Sequence, residues 1–319
     1  MQLSIVIPVF NEAENLKALD NSIHDVLDRL PQLNWEVIYI DDGSTDSSFQ
    51  ILEELATSDP ERTVAIELRR NFGQTAAIAA GIDHARGEII ILMDADLQND
   101  PADIPMLLEK IEQGYDVVSG WRVNRQDTFI TRTLPSRMAN WLISTVTGVR
   151  LHDYGCTLKA YRREVITGFR LYGEMHRFIP AYANSVGARM IEVPVHHHER
   201  KFGKTKYGLT RTFKVILDLF TVKFLISYAN KPIYLFGGVG IGLILISSVT
   251  LLYLFIRRVG FGISVTRSPF FAVSIMILIL GFQSILMGLI AELLVRTYHE
   301  SQRKPTYTIR RVLTQPDKV

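Results

Sequence analysis

Two aspartates at the end of an apolar segment have the residue type and spacing to bind a metal ion. Residues 89–93 are all apolar, and Asp94 and Asp96 follow them. Such a run predicts a strand that is buried on both faces of a parallel sheet. Because ligands bind beyond the carboxyl ends of such strands, we expect both carboxylates at a binding site. Two carboxylates suit Mg²⁺ or Mn²⁺, which takes further ligands from substrate phosphates; a turn that caps the next helix is the alternative.

Two further polar segments follow predicted strands. Residues 3–9 form an apolar run that leads into Glu12, and residues 35–40 form another that leads into Asp41 and Asp42. In a parallel sheet these side chains lie at the same edge as Asp94 and Asp96. The sequence therefore predicts one polar edge built from three strand ends. An ordinary aspartate turn is the alternative for the two adjacent aspartates.

The elements that must position these residues alternate between strand and helix. Strands alternating with helices of about 10–15 residues predict βαβ units and therefore an α/β fold with a doubly wound, mostly parallel sheet. No G-x-G-x-x-G sequence follows the first strand, so the dinucleotide-binding fingerprint is absent. The predicted strands are 3–9, 35–40, 63–68, 89–93, 116–120, 158–161 and 190–196, and the predicted helices are 12–30, 47–56, 74–85, 101–113 and 176–186.

The chain is too apolar for an ordinary soluble enzyme. Of its 319 residues, 47% are hydrophobic, and the mean hydropathy is +0.13. The excess lies in residues 232–256 and 268–291, which carry no charge. Each run exceeds the roughly 20 residues that cross ~30 Å of hydrocarbon. We predict a two-helix transmembrane hairpin, because residues 257–267 are too few for a domain; two buried core helices are the alternative.

Residues outside the two spans predict how the chain meets a membrane. Residues 209–230 carry apolar side chains at helical spacing, which suits an amphipathic helix in the interface, although a buried soluble helix has the same pattern. Residues 129–147 show a similar pattern. Basic residues flank the spans on the side opposite the connection, which predicts a multi-pass cell-membrane protein with both termini and the catalytic domain in the cytoplasm. Small residues, Gly238 with Gly242 and Ser284 with Gly288, predict close helix packing and a homo-oligomer.

These observations predict four segments and exclude little about partners. The segments are a catalytic domain (1–208), an amphipathic juxtamembrane helix (209–230), the hairpin (231–296) and a cytoplasmic tail (297–319). A formal net charge of only +2 gives no argument for nucleic acid as a partner. The single cysteine fits a reducing compartment. The first residues lack the basic region of a signal peptide.

Three motifs together resemble a known enzyme family. They are Pro8-Val9-Phe10-Asn11-Glu12, then Asp41-Asp42-Gly43-Ser44-Thr45-Asp46, then Asp94-Ala95-Asp96. In this order at strand ends they resemble the inverting members of glycosyltransferase family 2, which have the GT-A fold. The resemblance covers residues 1 to about 230, and the hairpin makes the chain similar to the polyprenyl-phosphate branch, which includes bactoprenol glucosyltransferases and dolichol-phosphate mannose synthases.

The resemblance implies a donor site for a UDP-sugar. Pro8, Phe10 and Glu12 would line the base and ribose pocket, and Asp42, with Asp41 close by, would bond the base or ribose. The segment from Arg70 to Gln74, with Asn71, resembles the loop that contacts the diphosphate. Asp96, assisted by Asp94, would hold Mg²⁺ or Mn²⁺, and Gln98 matches a glutamine that follows these acids in the lipid-phosphate branch.

The resemblance also implies an acceptor site. Asp153 lies where the family has its acceptor-side acid, although Asp-Tyr-Gly-Cys replaces the commoner letters. A lipid phosphate is already mostly anionic near pH 7, so Asp153 would orient it or remove a last proton, and positive charge becomes the greater need. Arg122 would supply one charge. A basic loop, with Arg200, Lys204 and Lys206, resembles the acceptor loop of the branch; anchoring to anionic lipids is the alternative.

The predicted function is an inverting membrane glycosyltransferase. It would move a hexose, with glucose as the expected sugar, from a UDP-sugar to undecaprenyl phosphate or another polyprenyl phosphate on the cytoplasmic face. A transferase for mannose or a modified arabinose on the same lipid is one alternative, and a non-catalytic membrane scaffold that binds nucleotide is another. A downstream flippase for the lipid-linked product is an implied partner.

Overall fold

The computed structural model describes residues 1–123, 143–145, 147–167, 171, 175–198, 233–261, 264, 268–301 and 307–313. The chain divides into two compact units, one of Met1–Leu219 with Pro305–Val319 and one of Phe220–Lys304. The predicted helix 209–230 and the basic loop with Arg200, Lys204 and Lys206 lie outside the described residues, as does most of the predicted helix 129–147.

The first unit is built on an eight-stranded mixed sheet with the order β7-β5-β6-β4-β1-β2-β3-β8. Strands β6 and β8 run antiparallel to their neighbours, and the other pairings are parallel. The predicted α/β class and mostly parallel sheet are confirmed. The strands are β1 (Leu3–Val9), β2 (Trp35–Asp41), β3 (Thr63–Leu68), β4 (Ile89–Leu92), β5 (Val117–Trp121), β6 (Lys159–Arg162), β7 (Met190–Pro194) and β8 (Ile309–Leu313).

Helices cover both faces of this sheet. They are α1 (Ala13–Leu27), α2 (Ser48–Ser58), α3 (Gln74–His84), α4 (Ile104–Glu112), α5 (Arg163–Ile166) and α6 (Ile179–Ser185), with 3₁₀ turns at Pro101–Asp103 and Met175–Phe178. Successive side chains of a strand point to opposite faces. Ile5 and Ile7 of β1 therefore pack in one core with α1 and α4, whereas Val6 faces Gly81 of α3. Burial on both faces fixes the central strands and the loops at their ends.

The last described strand lies in the segment that the sequence predicted as a separate tail. Strand β8 pairs antiparallel with β3, and the amide of Arg69 donates to the carbonyl of Thr308 at 2.9 Å. The hydroxyl of Tyr307 donates to Asp83 at 2.7 Å. The physical reason is that β3 would otherwise be an edge strand with unpaired backbone groups. Residues after the hairpin thus complete the sheet.

The second unit consists of two long helices, α7 (Ile233–Phe261) and α8 (Pro269–Ser301). Each contains a segment long and apolar enough to cross a membrane, of 27 residues in α7 and 23 in α8. The helices pack closely at one point, where a methyl group on Gly240 would lie 2.6 Å from the carbonyl oxygen of Gly281. Of the predicted small residues, Gly238 and Gly242 do not make this contact, since an added methyl group there meets nothing within 4 Å. Ser284 of the other predicted pair does contact α7, because its hydroxyl donates to the carbonyl of Phe236 at 2.9 Å. A helix must present one face to its partner, and spacing alone did not identify which one.

Substitutions at Gly240 and Gly242 test this packing. Leucine at Gly240 must push the helices apart, because the backbone of Gly281 occupies the space. We expect a loss of about 1–3 kcal/mol of packing energy, whereas leucine at Gly242, in the same helix, should cost little. The thermal midpoint of the detergent-solubilised protein measures both. Equal midpoints for G240L and G242L would show that Gly240 does not determine the helix contact.

Candidate active site

Strands β1, β2 and β4 end side by side, and their following loops carry most predicted site residues. Val9 and Asp41 are partners in the parallel register of β1 and β2, and Val6 and Leu92 are partners in that of β1 and β4. The carboxyl ends of these strands therefore meet at one edge, where ligands of open α/β sheets bind.

The Asp42 side chain joins the loops after β2 and β3. Its two carboxylate oxygens accept hydrogen bonds from the amides of Phe72 at 2.7 Å and Gly73 at 2.9 Å. The same loops approach each other at Gly43, where an added methyl group would lie 2.5 Å from the carbonyl carbon of Arg70. Gly43 also has a φ of +70°, a conformation that favours glycine. The predicted base-binding and diphosphate-binding segments thus form one structural piece.

The two adjacent aspartates are costly to bury. Burial raises the pKa of Asp42 to about 6, although the amides of Phe72 and Gly73 act in the opposite direction. Burial also raises the pKa of Asp41. One Asp41 oxygen accepts from the amide of Ser44 at 3.1 Å, whereas the other has no hydrogen-bond partner within the described part of the chain. An unused buried acceptor suits a ligand that brings N–H or O–H donors.

The loop after β1 lies against the loop after β2. The amide of Asn11 donates to the hydroxyl of Ser44 at 2.9 Å, and the Asn11 side chain accepts from the amide of Thr45 at 2.7 Å. Glu12 accepts from the Asn15 amide group at 2.7 Å. Pro8, Phe10 and Glu12 are all partly exposed at this edge, close in sequence to these contacts.

A polar cavity of about 210 Å³ opens beside Asp94 and Asp96. Of the predicted residues, Gln74, Asp94, Asp96, Gln98 and Arg122 line it. The others in the described chain lie outside its lining, namely Pro8, Phe10, Glu12, Asp41, Asp42, Asn71 and Asp153. Gln74 begins α3 directly after the loop that Asp42 holds, so the two groups of predicted residues are linked through that loop.

The Asp94 and Asp96 carboxylates fit a divalent cation. Asp94 accepts from Gln74 at 2.8 Å and from the Thr157 hydroxyl. Burial and the charge of Asp96 together raise the pKa of Asp94. A bound Mg²⁺ or Mn²⁺ would relieve this repulsion. The described chain contains no group of three His, Cys, Asp or Glu side chains for a metal; Mg²⁺ is usually bound by one or two carboxylates together with substrate phosphates.

The backbone after Asp96 has an unusual conformation. Leu97 has a φ of +58°, which is uncommon for a residue other than glycine. This turn lets the amide of Gln98 donate to Asp96 at 3.2 Å. The Gln98 side chain also lines the cavity. A strained residue between two cavity residues is typical of functional loops.

Arg122 and Asp153 form a buried, bidentate pair. Nε of Arg122 lies 2.6 Å from one Asp153 oxygen, and Nη2 lies 2.9 Å from the other. The side chains are only 13% and 4% exposed. Burial alone would lower the pKa of Arg122, but the bonds with Asp153 outweigh it and raise that pKa. The guanidinium therefore stays charged where it lines the cavity, and both oxygens of Asp153 are occupied by Arg122.

Glu192 of β7 holds the Arg122–Asp153 pair in place. It was not predicted as a site residue from the sequence. Its carboxylate accepts from the amides of His152 and Asp153, each at 3.0 Å, and lies 2.7 Å from Nδ1 of His152. The His152 ring stacks on Trp121, the residue before Arg122, with centroids 4.4 Å apart. The only signal was an acid in the middle of an otherwise apolar predicted strand.

Several further cavity residues were also missed. Lys159 of β6 is buried and donates to the carbonyls of Tyr154, at 3.3 Å, and Cys156. Burial lowers its pKa. His176 lies 2.7 Å from the Thr75 hydroxyl, and Arg177 follows it in the lining. These residues are far from the motifs in sequence, so no local pattern marked them. The cavity thus combines two carboxylates with the side chains of Arg122, Lys159 and Arg177.

A second set of contacts ties β7 to the turn after Gln98. His196 lies 2.7 Å from Asp103, and His198 lies 2.9 Å from Asp100. The amide of His198 donates to the carbonyl of Gln98 at 3.0 Å. Residues 196–198 are therefore attached to the segment that follows Asp96.

Comparison with known proteins assigns this geometry to a family. Residues 4–169 match the family model described as Glycosyl transferase family 2. The chain is 42% identical over 315 residues to the dodecaprenyl-phosphate galacturonate synthase of Rhizobium johnstonii, covering 98% of this chain and 93% of that protein. It is 39% identical over 317 residues to the undecaprenyl-phosphate 4-deoxy-4-formamido-L-arabinose transferase of Klebsiella pneumoniae, covering 99% and 95%.

Solved structures share the fold at low sequence identity. Mannosyl-3-phosphoglycerate synthase from Rubrobacter xylanophilus has a TM-score of 0.54 at 15% identity, with 70% of this chain and 74% of that chain covered. Glucosyl-3-phosphoglycerate synthase from Mycobacterium tuberculosis, crystallised with Mn²⁺, UDP and phosphoglyceric acid, has a TM-score of 0.53 at 18% identity, with 70% and 78% covered. At these identities the likeness shows the fold alone.

Replacing Asp42 with asparagine should stabilise the protein at neutral pH. A folded-state pKa of about 6, above the ordinary value of about 4, means that stability is full at low pH and falls as pH rises through this window. The penalty is on the order of 2–3 kcal/mol, and losing one amide bond costs about 1 kcal/mol. D42N should therefore raise the thermal midpoint at pH 7.5 but not at pH 4.5.

Asp46 provides a matched control with the opposite sign. Burial opposes its ionisation, but hydrogen bonds from Ser48 and Ala13 outweigh burial and lower its pKa. Its stabilisation is present at neutral pH and is lost as pH falls through the lowered value. D46N should therefore lower the midpoint at pH 7.5. A lower midpoint for D42N at pH 7.5 would contradict the charge penalty at Asp42.

Proposed function

The chain belongs to glycosyl transferase family 2 and has its GT-A fold, and we propose that it transfers a sugar from a UDP-sugar to a polyprenyl phosphate with inversion. The observation that carries this proposal is the composition of one cavity, in which Asp94 and Asp96 lie with Arg122. Two carboxylates suit a metal-bound diphosphate, and a buried cation suits a second phosphate. A transfer between two phosphate-bearing substrates needs both.

The donor is proposed to bind along the edge from β1 to β4. Asp41 and Asp42 would accept hydrogen bonds from the nucleoside, beside Pro8, Phe10 and Glu12. Asn71 and Gln74 would contact the diphosphate through the loop that Asp42 holds. Asp94 and Asp96, with Gln98 nearby, would hold Mg²⁺ or Mn²⁺. The ion would supply charge neutralisation for the nucleoside diphosphate leaving group.

The acceptor is proposed to use the cations of the cavity. A phosphate monoester is largely ionised at neutral pH, since its second pKa is about 6, so the attacking oxygen needs orientation more than deprotonation. Arg122 would bind this phosphate, and Asp153 would keep Arg122 charged and aimed. Arg200, Lys204 and Lys206 are proposed to add positive charge from the basic loop. Inversion requires the acceptor oxygen to approach C1 opposite the leaving diphosphate.

The sugar is proposed to be an acidic hexose of the galacturonic acid type rather than the glucose expected from the sequence. The two similar proteins reported above are named for galacturonate and for a formamido-arabinose, and neither is named for glucose. Arg177 lines the cavity together with Arg122, and such cations suit a carboxylate. A modified arabinose is the second candidate, on the strength of the Klebsiella pneumoniae relative.

The reaction is proposed to take place at the cytoplasmic face of the cell membrane. Helices α7 and α8 would cross the membrane as a hairpin. Because β8 follows α8 and pairs with β3, the residues before and after the hairpin would lie on the same side, and the distribution of basic residues favours the cytoplasm. A homo-oligomer and a downstream flippase stay predictions from the sequence.

An assay of lipid products tests the proposal against a non-catalytic scaffold. Detergent-solubilised protein, polyprenyl phosphate and Mn²⁺ are incubated with UDP-galacturonic acid, UDP-glucose and a UDP-linked formamido-arabinose, and products are weighed by mass spectrometry. D96N should lower turnover at least about 100-fold, because a metal contributes several kcal/mol. D25N, at an exposed position on α1, should retain full turnover. No lipid product from any sugar would sink the proposed activity.

Glu192 is predicted to act as a positioning residue. E192A removes the acceptor of the amides of His152 and Asp153, which should loosen Arg122 and lower kcat about tenfold, the usual scale for a supporting group of this kind. E192Q keeps an acceptor oxygen and should recover most of the turnover. The affinity for UDP should stay unchanged in both. A parallel loss of UDP affinity in E192A would indicate a general structural defect instead.

A further inference from the structure

Two arginines of β8, the strand that follows the two long helices, form ion pairs with one buried glutamate. Nη1 of Arg310 lies 3.1 Å from one oxygen of Glu67, and Nε of Arg311 lies 2.6 Å from the other. The Glu67 side chain is 11% exposed, whereas the arginines are 66% and 47% exposed. A buried carboxylate needs a partner more than an exposed arginine does, so this contact serves Glu67.

Glu67 lies directly beside the proposed donor site. It is the register partner of Asp41 in the parallel pairing of β2 and β3. Partners in register project to the same face of a sheet, so the two carboxylates are neighbours. One Asp41 oxygen is buried and lacks a hydrogen-bond partner in the described chain. In the proposed function this is the oxygen that would accept a hydrogen bond from the nucleoside. Any negative charge left on Glu67 therefore acts on a residue that binds the donor.

We propose that Arg310 and Arg311 are positioning residues of the donor site, which neutralise Glu67 and so let Asp41 accept hydrogen bonds from a nucleoside diphosphate. This inference rests on the proposed function, because it takes the donor to bind at Asp41. The residues that tune the site lie more than two hundred positions after it, beyond both long helices.

The same strand also braces the loop that forms the rest of the donor site. The amide of Arg69 donates to Thr308, immediately before the loop whose amides bind Asp42. The Arg311 guanidinium lies 4.3 Å from the ring centroid of Phe49 and 3.3 Å from Glu53. Strand β8 is thereby attached to β3 and to α2. Backbone bracing and charge neutralisation can be separated by experiment, because only the second depends on Glu67 being charged.

The charges around Asp41 give the expected pH dependence. The charges that act on Asp41 are those of Glu67 from β3 and Asp46 from the loop after β2. Its neighbour Asp42 is influenced by Asp41 and by Arg70. Burial raises the pKa of Asp41, hydrogen bonds from Ser44 lower it, and the charges of Glu67 and Asp46 raise it further. Loss of the two arginines strengthens the effect of Glu67, so Asp41 would become protonated at higher pH.

The test measures UDP binding to the full-length protein in detergent with Mn²⁺, by calorimetry from pH 5.5 to 8. R310A/R311A should weaken UDP binding about fivefold at pH 7.5, the upper range for partly exposed ion pairs, and should move the acidic loss of binding to higher pH. Adding E67Q to this variant removes the uncompensated charge and should restore UDP affinity. E67Q alone should move the acidic loss of binding to lower pH.

Each outcome decides the inference. Failure of the unaltered protein to bind UDP would refute the proposed donor and leave the contact as structural. Binding that is unchanged in R310A/R311A, or a loss that E67Q does not restore, would overturn the role of the arginines. If R310A/R311A has a collapsed thermal midpoint, E67Q alone decides, since a purely bracing strand predicts no change in the pH dependence of UDP binding.

Discussion

The concentration of buried negative charge at one edge of the sheet is the constraint on which the rest of the structure depends. A buried carboxylate is costly unless hydrogen bonds or cations compensate it. The acids at this edge are compensated by different groups. Asp42 takes two backbone amides, Asp94 takes a glutamine and a threonine, and Asp153 takes a guanidinium. The same hydrogen bonds hold the loops that provide these donors, so the acidic side chains and the loops of the site stabilise each other.

The negative charge is incompletely compensated at the positions where we expect the substrate to bind. Asp41 keeps one oxygen without a partner in the described chain, and Asp94 remains under repulsion from Asp96. Both deficits can be met by a metal-bound nucleoside diphosphate, which brings cations and donors together. The same cavity carries the positive charge of Arg122, which is held by Asp153 and indirectly by Glu192. The cavity therefore contains charges of both signs, which suits a transfer between two phosphate-bearing molecules.

The sheet and the acidic edge were predictable because their signals are local. Apolar runs such as residues 89–93 mark buried strands, and acids directly after them mark the carboxyl edge. Arg177 and the β8 arginines gave no such signal, because their roles depend on contacts between distant segments, as between Arg311 and Glu67. The signal of Glu192 was only that it is an acid within an apolar strand. The helix contact at Gly240 was not identified among the small residues of α7 for a related reason, since the rotation of one helix against another is a tertiary property. The predicted Ser284 does take part in the contact.

Strand β8 also has a consequence for biogenesis. Strand β8 is the last described element in chain order. Strand β3 therefore stays an open edge while the ribosome synthesises both long helices. An open edge is a template for association with other chains, and β8 removes this edge by pairing with β3. A chain that ended before β8 would therefore leave β3 as an exposed edge strand of the sheet.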